Sequence, residues 1–219
     1  MSIKFVNFDN YPIIQNMEFQ NIESIDKIIQ NIKNIDKDKK MIIYMNGIAG
    51  CGKSGVCKKL YDYLTSNNKK TYILSKDDFR YTENGYVFTK EYEPIVSKNY
   101  TNKFKNLIKS KTYNYIILDN THINYEKIED TRKIYKNYNF DELIISIEPF
   151  KDLNKHINFN IHNIPFAGIN RQFEEWNKHK KLIEDLKIKT IIFNHFEDGF
   201  IQENQINMMC KFFKQYLEI

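Results

Sequence analysis

Little in this 219-residue sequence interrupts regular structure: it holds only 7 glycines and 4 prolines, and no stretch rich in either that would mark a linker between domains. Its 3 cysteines, Cys51, Cys57 and Cys210, are too few and odd in number for a disulfide framework, and none forms a CxxC pair. That pattern suits a reducing compartment. Long apolar runs are absent too. Residues 42–45 and 115–118 are strand-sized, far short of the roughly 20 residues of a membrane span. The start, MSIKFVNFDN, lacks the basic-then-apolar pattern of a secretory leader. The expectation is a cytoplasmic protein that makes no membrane contact. Arginine is scarcest of all the charged types, found only at Arg80, Arg132 and Arg171 among 33 basic residues. Lysine, asparagine and isoleucine dominate as AT-rich codon usage would give, so a lysine run such as 37–40 says little, whereas each arginine is informative.

What is present fits one soluble α/β domain. Hydrophobic residues make up 42% and charged residues 28%, ordinary for a globular chain. The formal charge of +5 favours an anionic partner. Phe19, Ile22, Ile25, Ile28, Ile29 and Ile32 recur at helical spacing, which predicts an amino-terminal helical extension over 1–40. The α/β domain follows over 41–219. Strands are expected at 41–46, 71–74, 113–118, 143–147 and 190–193. Helices are expected at 54–65, 100–109, 125–138 and 203–216, with another starting near Pro149 and one carrying Ile169, Phe173 and Trp176. The alternation implies an α/β fold: a parallel sheet of about five strands flanked by helices. A polar segment, 154–164, precedes the Ile169 helix, and together they predict a helical lid.

The strongest motif is Gly47-Ile-Ala-Gly-Cys-Gly-Lys-Ser54, a GxxxxGK[ST] loop between a strand and a helix. Gly47 and Gly52 permit backbone geometry that a Cβ would obstruct, and Gly50 lets the chain approach phosphates. Cys51 needs only to be small, and Gly55 continues into the helix. The successive N–H groups at the helix start face an anion. Lys53 reaches the β/γ-phosphate oxygens of ATP and Ser54 ligates Mg²⁺. No NKxD guanine-reading motif accompanies the loop, which leaves ATP as the expected nucleotide. After the second strand comes Asp77-Asp-Phe-Arg80, at a sheet end where ligands bind in open α/β folds. A carboxylate there can take a hydroxyl proton, and an arginine can hold a substrate phosphate.

These residues resemble the phage-type 5′-polynucleotide kinases and related small P-loop kinases, over roughly residues 41–176. The family's G-x-P-G-S-G-K-S loop is similar to GIAGCGKS, and its R-D-D-Y-R segment to Lys76-Asp-Asp-Phe-Arg80. The resemblance implies Asp77 as general base and Arg80 as the acceptor-phosphate contact. Phe88-Thr89-Lys-x-x-Glu93 is similar to the family's helix entrance near the acceptor, which puts Thr89 there as well. Residues 116–124, carrying Asp119, resemble its I-I-x-D-x-N segment, so Asp119 would hold Mg²⁺ through water or orient the acceptor. The sequence departs from the family in the lid, where two arginines are missing. Lys155 and His156 stand in their place, with Arg132 and Arg171 as further candidates. The implied activity is transfer of the γ-phosphoryl group of ATP to the 5′-hydroxyl of single-stranded RNA or DNA, as in nucleic acid repair, without a fused phosphatase module. The alternatives are a kinase of a nucleoside, sugar or other small metabolite, or an NTP-binding regulatory module of weak activity. Under any enzymatic reading, Lys53→Ala abolishes phosphoryl transfer from radiolabelled ATP while circular dichroism stays unchanged; undiminished turnover would overturn the assignment of the loop.

Overall fold

The computed structural model describes residues 40–83, 85–160, 162–194, 206, 207, 209 and 210. In chain order the elements are β1 (Lys40–Asn46), α1 (Lys53–Ser66), β2 (Thr71–Leu74), β3 (Tyr81–Thr82), β4 (Gly85–Tyr86) and α2 (Glu93–Ser110). They continue as β5 (Tyr115–Leu118), α3 (Tyr125–Tyr135), β6 (Phe140–Ile147), α4 (Asn154–Asn158), α5 (Phe166–Glu184) and β7 (Lys189–Phe193). A single 3₁₀ turn, Asp77–Phe79, follows β2. The main sheet has the order β2-β5-β1-β6-β7, with every pairing parallel. The strands β3 and β4 form a small antiparallel hairpin beside it.

The period of two along β1 sorts the core into two layers. Met41, Ile43 and Met45 face α1, where they meet Val56, Cys57, Leu60 and Leu64. Ile42 and Tyr44 face the other way, toward Tyr100, Phe104 and Leu107 of α2, Ile128 of α3 and Ile183 of α5. Burial on both faces explains why β1 and β5 read as continuous apolar runs rather than alternating ones. A third, smaller cluster joins Ile48 and Ile123 to Ile169 and Trp176, and so seats α5 against the glycine loop.

Five parallel strands are found where five were expected, with differences at the edges. The helix expected at 100–109 begins earlier, at Glu93, because Pro94 lies in its first turn, where the missing N–H costs nothing. The tyrosine-rich stretch before it holds the β3–β4 hairpin, turned at Gly85 with φ 99°. No helix begins at Pro149; α4 starts at Asn154 inside the segment read as polar. The amino-terminal extension lies outside the described residues except for Lys40, which is already in β1. The carboxy-terminal helix is also largely outside them, although Met209 is buried on the α1 side of the sheet. Among the described residues no helix is long and apolar enough to cross a membrane.

A polar network lies behind β1. The hydroxyls of Tyr44 and Tyr135 are hydrogen-bonded, and Tyr135 donates to Glu142 Oε1 at 2.6 Å. Arg132 donates to the same oxygen at 2.8 Å and to Glu129 at 2.6 Å. On the opposite face of the sheet Leu60 is wholly buried; Leu60→Ala is expected to cost about 2–5 kcal/mol of stability, read from urea unfolding. A loss under 1 kcal/mol, on the order of a surface substitution, would mean that α1 is not packed as described.

Candidate functional site: the phosphate loop and the facing carboxylates

At the carboxyl end of β1 the chain turns out of the sheet through Gly47, whose φ is 145°. A Cβ at Gly47 would come within 2.7 Å of both Cys51 Sγ and the Ile147 carbonyl oxygen, so only glycine fits. The turn is pinned by buried polar bonds. Gly47 N–H donates to the Thr121 carbonyl at 2.9 Å. The Asn46 amide donates to the His122 carbonyl at 2.7 Å and accepts from Ser146 Oγ at 2.8 Å. The His122 ring donates from Nδ1 to the Met45 carbonyl at 3.0 Å. His122 is therefore a buried tie at the strand end.

The glycine at position 50 also makes room for the lid: its φ is 73°, and a Cβ there would lie 2.3 Å from the His156 carbonyl oxygen. His156 is 0% exposed. Its Nε2 accepts from Phe150 N–H at 3.0 Å, so Nδ1 carries the proton that it shares with the Ala49 carbonyl at 3.0 Å. Gln172 of α5 accepts from Ala49 N–H at 2.8 Å. Both edges of Ala49 are thus held by the lid, and His156 is a neutral anchor instead of a cation in an arginine's place.

The helix α1 opens with Lys53 and has no acidic residue in its first turn, contrary to what the helix dipole favours. That conflict marks a place built for an anion. Lys53 Nζ donates to the Ile48 carbonyl at 2.6 Å, within the loop. Burial, followed by the nearby carboxylates of Asp77 and Asp78, raises the pKa of Asp119, while Lys53 and a hydrogen bond from Ser54 oppose it. A carboxylate pushed toward protonation beside a serine hydroxyl fits a Mg²⁺ site of the kind P-loop proteins use, with Ser54 as direct ligand and Asp119 through water. Among the described residues no three His, Cys, Asp or Glu side chains converge to hold a metal unaided; that accords with an ion completed by phosphate and water. Gly55 lies open, with nothing within 4 Å of where a Cβ would be.

On the acceptor side, Asp77 and Arg80 come together with each other. Arg80 donates to Asp77 at 2.6 Å and to Glu93 at 2.7 Å, and its side chain is 9% exposed. Its guanidinium lies 4.8 Å from the Phe88 ring centroid. Arg80 is enclosed between two carboxylates rather than presented to an acceptor phosphate. Asp77 also accepts from the Tyr86 hydroxyl at 2.7 Å and lies 3.2 Å from His162 Nε2. Burial pushes its carboxyl up, but the bonds from His162 and Tyr86 and the charge of Arg80 outweigh that and hold it well below the usual carboxylate range. Asp78 accepts from Ser75 N–H at 3.4 Å, closing the 3₁₀ turn. Thr89 is exposed, and its carbonyl accepts from Glu93 N–H at 3.1 Å, a role at the α2 entrance.

The other lid candidates separate. Arg132 is bound to Glu142, whose register partner is Ile42, near the amino end of β1, so it cannot swing to the loop. Arg171 lies on the exposed face of α5, lining a cleft with Lys127, Glu174 and Lys178. Lys155 is half-buried in α4. Sequence reading passed over His162, Glu93 and Gln172 as site residues. Glu93 stood within the Phe88–Glu93 match and His162 within the departing lid segment, but only folding shows what each one touches.

Residues 41–189 match the model of the KTI12 family, described as chromatin associated protein KTI12. A gluconokinase from Sinorhizobium meliloti 1021 superposes with a TM-score of 0.50 at 11% identity, over 84% of this chain and 96% of that one. The AvrRxo1-ORF1:-ORF2 complex with ATP gives 0.57 at 12% identity, over 81% of this chain and 64% of the other. A chain of the Pnkp1/Rnl/Hen1 RNA repair complex gives 0.50 at 18%, over 68% of this chain and 48% of that one. At such identities the likeness is one of fold: the parallel sheet and flanking helices of P-loop kinases.

The two buried histidines make stability depend on pH. Burial holds His122 and His156 down to about 4, against 6.5 for a free imidazole. Because the folded state binds protons less readily than the unfolded chain, their contribution is complete above pH 6.5 and is lost as pH falls toward 4. Urea midpoints should therefore drop between pH 7 and pH 5, and His156→Gln should flatten the slope. A wild-type midpoint unchanged over that interval would contradict the tautomers assigned here.

Proposed function

The chain belongs to the KTI12 family of chromatin-associated proteins, and we propose that it binds ATP with Mg²⁺ at residues 47–54 and acts as a P-loop phosphotransferase of low intrinsic turnover on a hydroxyl acceptor. The observation that carries the reading is the meeting of Lys53, Ser54 and Asp119 at the end of the sheet, with Asp77 and Asp78 close enough to raise the Asp119 carboxyl. Backbone N–H groups at the start of α1 and the Lys53 ammonium bind the phosphates. Ser54 and Asp119 would hold Mg²⁺, whose charge would offset that of the phosphates. The acceptor oxygen approaches from the Asp77 side, forms its bond to the γ-phosphorus as the bridging P–O bond breaks, and ADP departs.

Low turnover follows from the lid. A cation gripping the transferring phosphoryl group is worth ~10³–10⁵ in rate in related chemistry, and this lid has Lys155 and His156 where relatives place the bidentate arginines. His156 is neutral and buried against the loop, and Arg132 is tied to β6. Arg80, enclosed between Asp77 and Glu93, offers no grip for the internucleotide phosphate of a polynucleotide. A small hydroxyl metabolite, or nucleotide binding as a regulatory signal, is therefore favoured over a polynucleotide 5′-end. The KTI12 match and the P-loop kinase fold support this coarser reading. Radiolabelled ATP offered with 5′-hydroxyl oligonucleotides, a panel of small hydroxyl metabolites, or water alone tests this choice. Fast transfer to oligonucleotides would restore the polynucleotide reading. Asp119→Asn should weaken binding of Mg²⁺–ATP by ~10-fold or more while metal-free ATP binds as before; calorimetric titration with and without Mg²⁺ checks it, and equal losses in both would remove Asp119 from the metal site.

A further inference from the structure

Asp77 carries more hydrogen-bond donors than a free general base has. Its Oδ1 accepts from Arg80 Nη1 at 2.6 Å and from the Tyr86 hydroxyl at 2.7 Å, which uses both lone pairs of that oxygen. Its Oδ2 faces His162 Nε2 at 3.2 Å. The side of the carboxylate left for an incoming hydroxyl is therefore covered by an imidazole. That imidazole is held in place by more than the carboxylate. The ring stacks on Tyr86, with centroids 4.7 Å apart and planes 12° from parallel. Its own backbone N–H donates to Asn160 Oδ1 at 3.2 Å. The side chain is 23% exposed, so small molecules reach it, and no described residue occupies its Nδ1.

We propose that His162, carried by the lid, takes the proton of the acceptor hydroxyl, and that Asp77 orients the ring and steadies the charge it acquires. The inference rests on the reading that this cleft transfers the γ-phosphoryl group of ATP. With Nε2–H donating to Asp77, Nδ1 holds the free lone pair. The acceptor O–H proton passes to Nδ1 as the oxygen forms its bond to the γ-phosphorus. The bond from that phosphorus to the β,γ-bridging oxygen breaks, and its electron pair leaves with ADP. The imidazolium stands against the Asp77 carboxylate until it returns its proton to solvent. The logic is that of a carboxylate-oriented histidine acting on a hydroxyl. Holding Asp77 well below the usual carboxylate range makes it a feeble proton acceptor and a durable counter-charge.

The charged and titratable groups facing the pair are Lys76, Asp78 and Arg80 of the 3₁₀ turn region, Glu93 of α2, Tyr86 of the hairpin and Asp119 after β5. His122 and His156, the other imidazoles near the loop, titrate near 4 and stay neutral above pH 5. Between about pH 5 and 9, an acid limb that disappears when His162 is replaced is the signature of this base, whereas a limb from another group persists. Asp77 acting alone as base would give a flat profile there.

The test is turnover of ATP by the full chain from pH 5 to 9, with water as acceptor, and ATP affinity measured separately by calorimetry. Wild type is expected to lose kcat/KM on the acid side. His162→Gln should lower kcat by ~10²-fold, abolish the acid limb and leave ATP affinity unchanged. His162→Gly should regain activity when free imidazole is added, a result that a purely structural role does not produce. A flat wild-type profile, an acid limb that persists in His162→Gln, or no rescue of His162→Gly would each overturn the assignment while leaving the transferase reading in place. Absence of any wild-type turnover despite ATP binding would overturn both.

Discussion

Everything at the site hangs from the last two residues of β1 and the glycine after them. Asn46 stands between Ser146 on β6 and the His122 carbonyl, and Gly47 hands its N–H to Thr121. These groups are buried, so each would cost free energy if left unpaired, and each has a single partner at hydrogen-bond distance. The exit point and direction of the phosphate loop are thereby fixed relative to the two neighbouring strands, β5 and β6. On the far side of the loop the lid supplies the second constraint, through His156 and Gln172 on Ala49. A glycine-rich segment that would otherwise be supple is bounded at both margins.

The sheet and the phosphate loop were legible in the sequence because their signals are local. A run such as Met41–Asn46 followed by GIAGCGKS carries its own context, and the α1 face of Val56, Leu60 and Leu64 packs as the spacing says. The start of α2 at Glu93 was not legible, although its first turn accommodates Pro94. The acceptor side was legible only in part. Asp77 and Arg80 stood out by motif, but the partner that encloses Arg80 is Glu93, thirteen residues on. That a lid histidine would meet Asp77 depends on a contact between residues more than eighty positions apart. Nothing in composition or periodicity reports such a contact.

The family comparison bears on the same division. The motifs that resemble phage-type kinases lie in the P-loop, at strand ends and at the entrance to α2. The match to KTI12 extends over 41–189, including the lid segment where arginines are lacking. Gly50 shows how that segment and the loop are suited to each other: a side chain there would collide with the His156 carbonyl, a demand that the loop motif alone does not reveal.

The foot of the lid on the phosphate loop has a thermodynamic consequence. Moving α4 away from Gly50 breaks the bond that holds the Ala49 carbonyl, so lid displacement and loop geometry form one coordinate. Any macromolecule that grips the outer surface of the lid and favours one of its positions must then alter nucleotide affinity, and by reciprocity the nucleotide alters that macromolecule's affinity by the same factor. Occupancy of a pocket at the sheet end would be felt on the outside of the molecule without a dedicated relay, because a peptide carbonyl and one imidazole already join the two.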